Sequence, residues 1–308
     1  MTTAPRRAAL GLIQVPADYE ASIEQCQQTL LDLTVECLEA GADLVVMPEG
    51  YQYKSTSLTP RECALQHAPG FAARCAELAR NYRAHIAMWD YRLQGEQVRN
   101  AVTIIGPDGA TVGVYDKVHL THPELDKGIS PGSTYPVFEL AEPLGRVGVM
   151  ICMDAFYPEP ASILAQQRAE LVLYPLYGDT LAARWELRTR TRAIDNSVVI
   201  AACQIHSSPE EPISSWTGVI AADGEVVERL PSRRGWSVVE VELGAPVVTW
   251  MNGVGDRAED YAAYLRNLRA PHTYGQLLSG VERTPWDEVE FSARHPSAAL
   301  TDARDDAK

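Results

Sequence analysis

The chain alternates short runs of strand-forming apolar residues with stretches in which apolar residues recur every three or four positions. The run AALGLIQV is followed by the amphipathic stretch YEASIEQCQQTLLDLTVECLEAG, which Gly41 ends, and then by DLVVMPEG. A second amphipathic stretch, FAARCAELARNYR, precedes the run AHIAMWDY. Apolar residues at helical spacing predict helices, and short apolar runs bounded by turn residues predict buried strands. The first ninety or so residues therefore predict the order βαβαβ.

Two hairpins are predicted further along, each with a glycine-containing turn between β-like runs. They are NAVTIIGPDGATVGVYDKVHL and TGVIAADGEVVERL. Between them, GRVGVMIC, ELVLYP and SVVIAACQIH predict strands, separated by a helix that begins near Pro158 and another through LAARWELRTRTRAIDN. The two halves of the chain share one plan. Mixed strands with intervening helices favour an α/β fold in which two sheets face each other, flanked by helices.

We expect one domain, because no linker or low-complexity segment divides the chain before its polar end. We place this domain at residues 1–280. The tail, residues 281–308, is polar, and we expect it to be partly disordered or packed on a partner subunit.

Composition and charge restrict the class of partner. Lys and Arg number 27 against 41 Asp and Glu, a net charge of -14, and no basic block could cover a phosphate backbone or an anionic membrane. The N-terminal apolar stretch is short and interrupted by Gln14 and Pro16, which disfavours a signal peptide or a membrane span. We therefore expect a cytoplasmic protein that binds neither nucleic acid nor membrane. Six scattered cysteines without a CxxC pair predict free thiols and no structural metal.

Three reactive residue types fall where predicted strands end: Glu49 in VVMPEG, Lys117 in VYDKVHL and Cys152 in VMICMD. Singly, each is more often structural, as a surface carboxylate, a solvated lysine or a packed thiol. Together they form a chemical set. A carboxylate can take the thiol proton, and a lysine can stabilise both the thiolate and an oxyanion. The backbone N–H of Met153 would be a second oxyanion donor if the chain turns sharply there.

At these residues the sequence resembles the nitrilase superfamily of carbon–nitrogen hydrolases, from about residue 8 to residue 275. The resemblance rests on an ordered set of motifs: PEG, GPDGATVGVYDKVHL, ISPG, GVMICMDAFYPE, RTRAIDNSVVIAACQ, ADGEVV and LRAPHTYG. It implies a four-layer αββα sandwich with the catalytic triad Glu49, Lys117 and Cys152. It also implies a second glutamate, for which Glu124 is the best match, no metal or organic cofactor, and a homodimer or larger homo-oligomer.

The resemblance further implies a covalent reaction on a small-molecule substrate. Cys152 would attack an amide or carbamoyl carbon, ammonia or an amine would leave, and water would release the acid. Family members that hydrolyse nitriles usually carry Cys-Trp-Glu, whereas this chain has Cys152, Met153 and Asp154. The chain is therefore similar to the amidase and carbamoylase branches, and nitrile hydrolysis is the alternative.

The substrate is less well defined. The arginine that several branches place just after this Asp is missing, which disfavours acidic substrates. Aromatic residues in segments predicted to border the pocket favour a neutral, partly aromatic acyl group, although each could instead belong to the core or a subunit interface. These residues are Phe156, Tyr157, Tyr174, Tyr177 and Trp185.

Other interpretations remain. His119 could pair with Cys152 in a protease-like dyad. Arg190 and Arg192 are more typical of salt-bridge formers than of substrate ligands. The protein could also be a catalytically silent scaffold, or a thiol redox sensor in which Cys203 approaches Cys152.

Overall fold

Two mixed β-sheets and the helices that cover them make up the computed structural model. It describes residues 4–16, 20–179, 181–206, 215–230, 235–252, 256–258 and 260–277. The strands are β1 (Arg6–Ile13), β2 (Val15–Pro16), β3 (Leu44–Val46), β4 (His85–Gln94), β5 (Gln97–Ile105), β6 (Thr111–Asp116), β7 (Val137–Leu140), β8 (Gly145–Val149), β9 (Leu171–Leu176), β10 (Val199–His206), β11 (Gly218–Ile220), β12 (Val226–Arg229), β13 (Trp236–Leu243), β14 (Thr249–Asn252) and β15 (Asp256–Ala258).

The helices are α1 (Ile23–Glu39), α2 (Pro60–Gln66), α3 (Ala68–Tyr82), α4 (His122–Asp126), α5 (Glu159–Gln166), α6 (Ala182–Asn196) and α7 (Tyr261–Asn267). Three 3-10 turns, Tyr51–Tyr53, Cys152–Phe156 and Pro271–Leu277, complete the elements. In the described part of the chain, no helix is long and apolar enough to cross a bilayer.

The two sheets repeat one plan. The first has the order β13-β1-β3-β4-β5-β6, and the second has the order β12-β11-β10-β9-β8-β7 with β2 beside β10. In each, three parallel strands (β1, β3, β4 and β8, β9, β10) have an antiparallel strand on one side and an antiparallel hairpin on the other. The two-halves prediction is therefore confirmed, and the antiparallel β14–β15 pair stands apart.

The alternation of side chains along β3 shows the layering. Leu44 and Val46 join the core between the sheets, whereas Val45 packs with Leu30 of α1 and Cys75 of α3 on the outer face. On the second sheet, α5 approaches β8 closely because Gly148 has no side chain: a Cβ there would lie 2.7 Å from Leu164. The layer order is helix, sheet, sheet, helix, so the predicted αββα sandwich is confirmed.

The main differences from the predicted elements are short or at an edge. The first helix begins at Ile23 behind the N-cap Ser22, later than its amphipathic pattern suggested. Helices α2 and α4 were not predicted, although each follows a threonine with a glutamate three residues later, a capping signal. The edge strand β13 was also missed. The predicted tail, residues 281–308, lies outside the described residues.

Candidate active site

Glu49 follows β3 and lies buried between the sheets. Its Oε1 accepts hydrogen bonds from Lys117 Nζ at 2.8 Å and from Asn100 Nδ2 at 2.8 Å. Its Oε2 accepts the backbone N–H of Tyr177 at 3.1 Å. The chain turns immediately afterwards at Gly50, whose φ of +79° is in the region that glycine adopts most easily. Three fixed donors therefore hold the Glu49 carboxylate in one orientation.

Lys117 directly follows β6, and its buried ammonium lies between two carboxylates. Besides Glu49, it donates to Glu124 Oε1 at 3.0 Å and to Glu124 Oε2 at 2.9 Å. Burial disfavours the ammonium, but the negative charges of Glu49 and Glu124 outweigh burial and raise the pKa of Lys117 above its ordinary value. Lys117 is therefore a permanent cation and not a proton donor at neutral pH.

Glu124 reaches this ammonium from the short helix α4. Its Oε2 also accepts the backbone N–H and the hydroxyl of Thr121, each at 2.8 Å. Burial alone would raise the pKa of Glu124, but the charge of Lys117 and these hydrogen bonds lower it below the ordinary value. Sequence resemblance proposed Glu124 as the second glutamate, and the structure brings it to Lys117.

Asn100 is a member of this group that sequence reasoning missed. It lies on β5, and its Nδ2 donates to both Glu49 Oε1 and Glu124 Oε1, the latter at 2.6 Å. Its Oδ1 accepts the indole N–H of Trp89 at 2.6 Å. One sequence signal could have found Asn100: it is a polar residue inside a predicted strand. A buried amide side chain is expected to have hydrogen-bond partners, so this position predicts a polar group nearby.

Cys152 opens the 3-10 turn after β8 with a φ of 40°, a left-handed conformation that is uncommon for a residue with a side chain. The residue is half-buried, and its carbonyl accepts the hydroxyl of Tyr174 at 3.0 Å. Burial and, next, the charge of Glu49 raise the pKa of the Cys152 thiol, against the opposing effect of Lys117. The resting side chain is therefore a neutral thiol that needs a base to become nucleophilic.

Asp154, fully buried, anchors this turn. Its Oδ2 accepts the hydroxyl of Tyr115 at 2.6 Å and the backbone N–H of Ile151 at 2.9 Å. Its Oδ1 accepts the backbone N–H of His119 at 3.0 Å and lies 3.1 Å from the His119 ring Nδ1. The carboxylate thus fixes the cysteine turn against the segment that follows Lys117.

A cavity of about 540 Å³ opens beside these groups. Its lining comprises Glu49, Gly50, Tyr53, Lys54, Thr56, Trp89, Tyr91, Asn100, Lys117, Thr121, Pro123, Glu124, Lys127, Cys152, Tyr177 and Gly178. Tyr53 and Tyr91 stack with ring centroids 5.4 Å apart and form an aromatic wall. The proposed nucleophile, base and lysine therefore face one space.

The structure brings only part of the predicted aromatic set to this cavity. Tyr177 is among the described lining residues, but Phe156 and Tyr157 are not: both are exposed, Phe156 under the guanidinium of Arg188 and Tyr157 stacked on His119. Tyr174 and Trp185 are buried, also outside the described lining. Met153 is half-buried in the turn after Cys152.

The other residues singled out in the sequence have structural contacts. The His119 ring lies against Asp154 and Tyr135, and its Nδ1 is 2.8 Å from the Tyr135 hydroxyl. Arg190 donates to the carbonyl of Gly224 at 2.8 Å, and Arg192 donates to the carbonyl of Tyr157 at 3.2 Å.

Cys203 is fully buried on β10, where its thiol interacts with the backbone of Ile13 and with Cys37. It is not among the described residues that line the cavity.

Comparison with known proteins identifies the class. Residues 8–245 match the family model for carbon-nitrogen hydrolase, so the chain belongs to that family, as its motifs predicted. Omega-amidase NIT2 of Danio rerio is 28% identical over 225 residues, which cover 68% of this chain and 80% of the relative. A probable nitrilase of Schizosaccharomyces pombe is 29% identical over 287 residues, which cover 89% of this chain and 99% of that relative. A carbon-nitrogen hydrolase from Helicobacter pylori G27 shares the fold, with a TM-score of 0.72 at 19% identity over 90% of this chain and all of that one.

Proposed function

We propose that this protein hydrolyses a small amide through a covalent Cys152 acyl-enzyme. The observation that carries the proposal is the placement of Cys152, Glu49 and Lys117 on one cavity, with the two charged groups 2.8 Å apart. A neutral thiol, a fixed carboxylate and a permanent cation are the parts that thiol-dependent acyl transfer requires.

Each residue has a defined step. Glu49 takes the thiol proton as Cys152 Sγ forms a bond to the amide carbon, and the carbonyl oxygen becomes an oxyanion. The Lys117 ammonium and the backbone N–H of Met153 stabilise that oxyanion. Glu49 returns the proton to the nitrogen as the carbon–nitrogen bond breaks, releasing ammonia or an amine. Water, deprotonated by Glu49, then attacks the thioester and releases the acid and the thiol.

We further propose that the acyl group carries a carboxylate. Beyond the triad, the cavity lining contains Lys54 and Lys127. Counted with Lys117 against Glu49 and Glu124, the lining holds three cations and two anions, which favours an anionic substrate. The relative called omega-amidase NIT2 supports the same class, amides with the amide at the far end of an acid. This revises our sequence-based preference for a neutral acyl group, which rested on the missing arginine and on five aromatic residues. Of those five, only Tyr177 is among the described residues that line the cavity.

The test is ammonia release from matched amide pairs that differ only in a terminal carboxylate or its methyl ester, with nitriles and carbamoyl compounds in the same panel. Wild-type protein should turn over the carboxylate amides, and Cys152→Ala should abolish that turnover. Turnover by Cys152→Ala equal to the wild type would overturn the acyl-enzyme.

The carboxylate preference has its own test. The double variant Lys54→Met, Lys127→Met should raise KM for the carboxylate amide by about tenfold, the effect of losing roughly 1.4 kcal/mol of charge pairing, and leave the methyl ester unchanged. Equal losses on both members of the pair would contradict the carboxylate assignment.

A further inference from the structure

Asn100 distributes hydrogen bonds unequally over the two oxygens of Glu49. Oε1 accepts both Lys117 Nζ and Asn100 Nδ2, so its two lone-pair directions are occupied. Among the described residues, Oε2 accepts one hydrogen bond, from the backbone N–H of Tyr177 at 3.1 Å. The same N–H also interacts with the Cys152 thiol. The Tyr177 N–H is therefore a shared neighbour of Glu49 Oε2 and the Cys152 thiol.

The position of the Tyr177 N–H therefore selects one oxygen of the carboxylate. A proton leaving Cys152 finds a free lone pair on Oε2 and finds none on Oε1. On these contacts, Asn100 makes Oε1 the oxygen that is held and Oε2 the oxygen that reacts.

Trp89 fixes the direction of the Asn100 amide. Its indole N–H is a donor only, and it bonds to Asn100 Oδ1 at 2.6 Å, so the two hydrogens of Nδ2 point at the carboxylates. One of these hydrogens goes to Glu49 and the other to Glu124. A reversed amide would place its oxygen against two carboxylates and its NH2 group against an N–H donor.

We propose that Asn100, oriented by Trp89, is a positioning residue that saturates Glu49 Oε1 and so directs the thiol proton to Oε2. The proposal rests on the hydrolytic function proposed above. Hydrogen bonds to a carboxylate favour its charged form, so a variant that lacks the Asn100 donors should favour the protonated form of the carboxylate that acts as the base.

The main test is the pH dependence of kcat/KM in Asn100→Leu, which keeps the approximate volume and removes both donors. Its acidic limb reports the base of the free enzyme, and we expect that limb to move up by about one pH unit, with kcat at least about tenfold lower. Trp89→Phe keeps the Asn100 amide but removes the indole N–H that orients it. We expect the acidic limb of this variant to move in the same direction, but by less.

Asn196→Leu is the matched control, since Asn196 is also a buried asparagine, but its amide donates to the carbonyl of Arg192 on α6. It should lower thermal stability without moving the acidic limb. An Asn100→Leu enzyme with a wild-type acidic limb, or with losses no different from those of the control, would overturn the proposal. Failure of the underlying function is read separately, because Cys152→Ala would then retain turnover whatever Asn100 does.

Discussion

Asp154 Oδ1 accepts the backbone N–H of His119 at 3.0 Å, and this bond joins the turn that carries Cys152 to the segment that carries Lys117. The two segments belong to different sheets, so their relative position depends on contacts between the sheets. Since Asp154 also accepts from Ile151 and Tyr115, one buried carboxylate sets the distance between nucleophile and cation.

We expect Asp154→Asn to impair both stability and activity. An amide of the same size presents NH2 to groups that are themselves donors, which should lower the free energy of unfolding by about 2–4 kcal/mol and kcat by at least about tenfold. Urea denaturation and ammonia release at pH 7 measure the two effects. Tyr115→Phe removes one donor and leaves the carboxylate, so it should cost only about 1 kcal/mol. Wild-type values for Asp154→Asn would contradict this role.

The residues predicted from sequence and those missed differ in what determines their position. Glu49, Lys117 and Cys152 could be found because each directly follows a strand-like run, and strand ends fix side chains at a cleft. Asn100 and Trp89 lie inside strands. Their meeting depends on the β4–β5 pairing and on which face of that hairpin turns inward, and neither is readable from local pattern alone.

Phe156 and Tyr157 illustrate the opposite error. Closeness in sequence to Cys152 suggested that they border the pocket. The chain instead changes direction in the 3-10 turn Cys152–Phe156, and the rings of Phe156 and Tyr157 are exposed to solvent. The aromatic wall comes from Tyr53 and Tyr91, which no motif marked. Local sequence predicted the chemistry of the turn but not its direction.

Gly50 gives a prediction about backbone geometry. Gly50→Ala forces an L-residue to a φ of +79° and brings a Cβ to 3.1 Å from Tyr177 Cδ2. We expect a loss of about 1–3 kcal/mol in stability together with reduced kcat, because Tyr177 also holds Glu49 through its N–H. Gly41→Ala is the control: φ is +91° but nothing lies within 4 Å, so it should lose stability alone. Equal kcat for the two variants would contradict a role for Gly50 in positioning the site.

The Cys152 thiol gives a prediction that distinguishes catalysis from redox sensing. Because burial and Glu49 raise the pKa of Cys152, the difference in ultraviolet thiolate absorbance between wild type and Cys152→Ala should be absent at pH 7. Alkylation by iodoacetamide should accordingly be slow without substrate. A sensor cysteine needs the opposite property, a thiolate at neutral pH, so a clear thiolate signal at pH 7 would favour sensing over base-dependent catalysis.

The burial of Asp90 leads us to expect that the stability of the protein depends on pH, independently of the triad. It is buried behind Tyr53, whose hydroxyl donates to Asp90 Oδ1 at 2.7 Å. Asp90 Oδ2 and Gln52 Oε1 are both acceptors, and neither has a donor among the described residues. Burial raises the pKa of Asp90 from 3.8 to about 7, against the hydrogen bonds that favour its charged form. A proton on Asp90 removes the negative charge that burial disfavours.

The sign follows from proton counting. Below about pH 4 both folded and unfolded chains hold the Asp90 proton, whereas between about pH 4 and 7 only the folded chain does, so stability falls as pH rises through that range. The difference in pKa sets an upper limit of about 4 kcal/mol. Asp90→Asn mimics the protonated acid and has no proton to lose. We expect it to be more stable than wild type at pH 8 and equal to it near pH 4, as measured by urea denaturation, while the exposed control Asp195→Asn shows no such difference. A parallel pH dependence in wild type and Asp90→Asn would mean that Asp90 is already ionised in the folded protein.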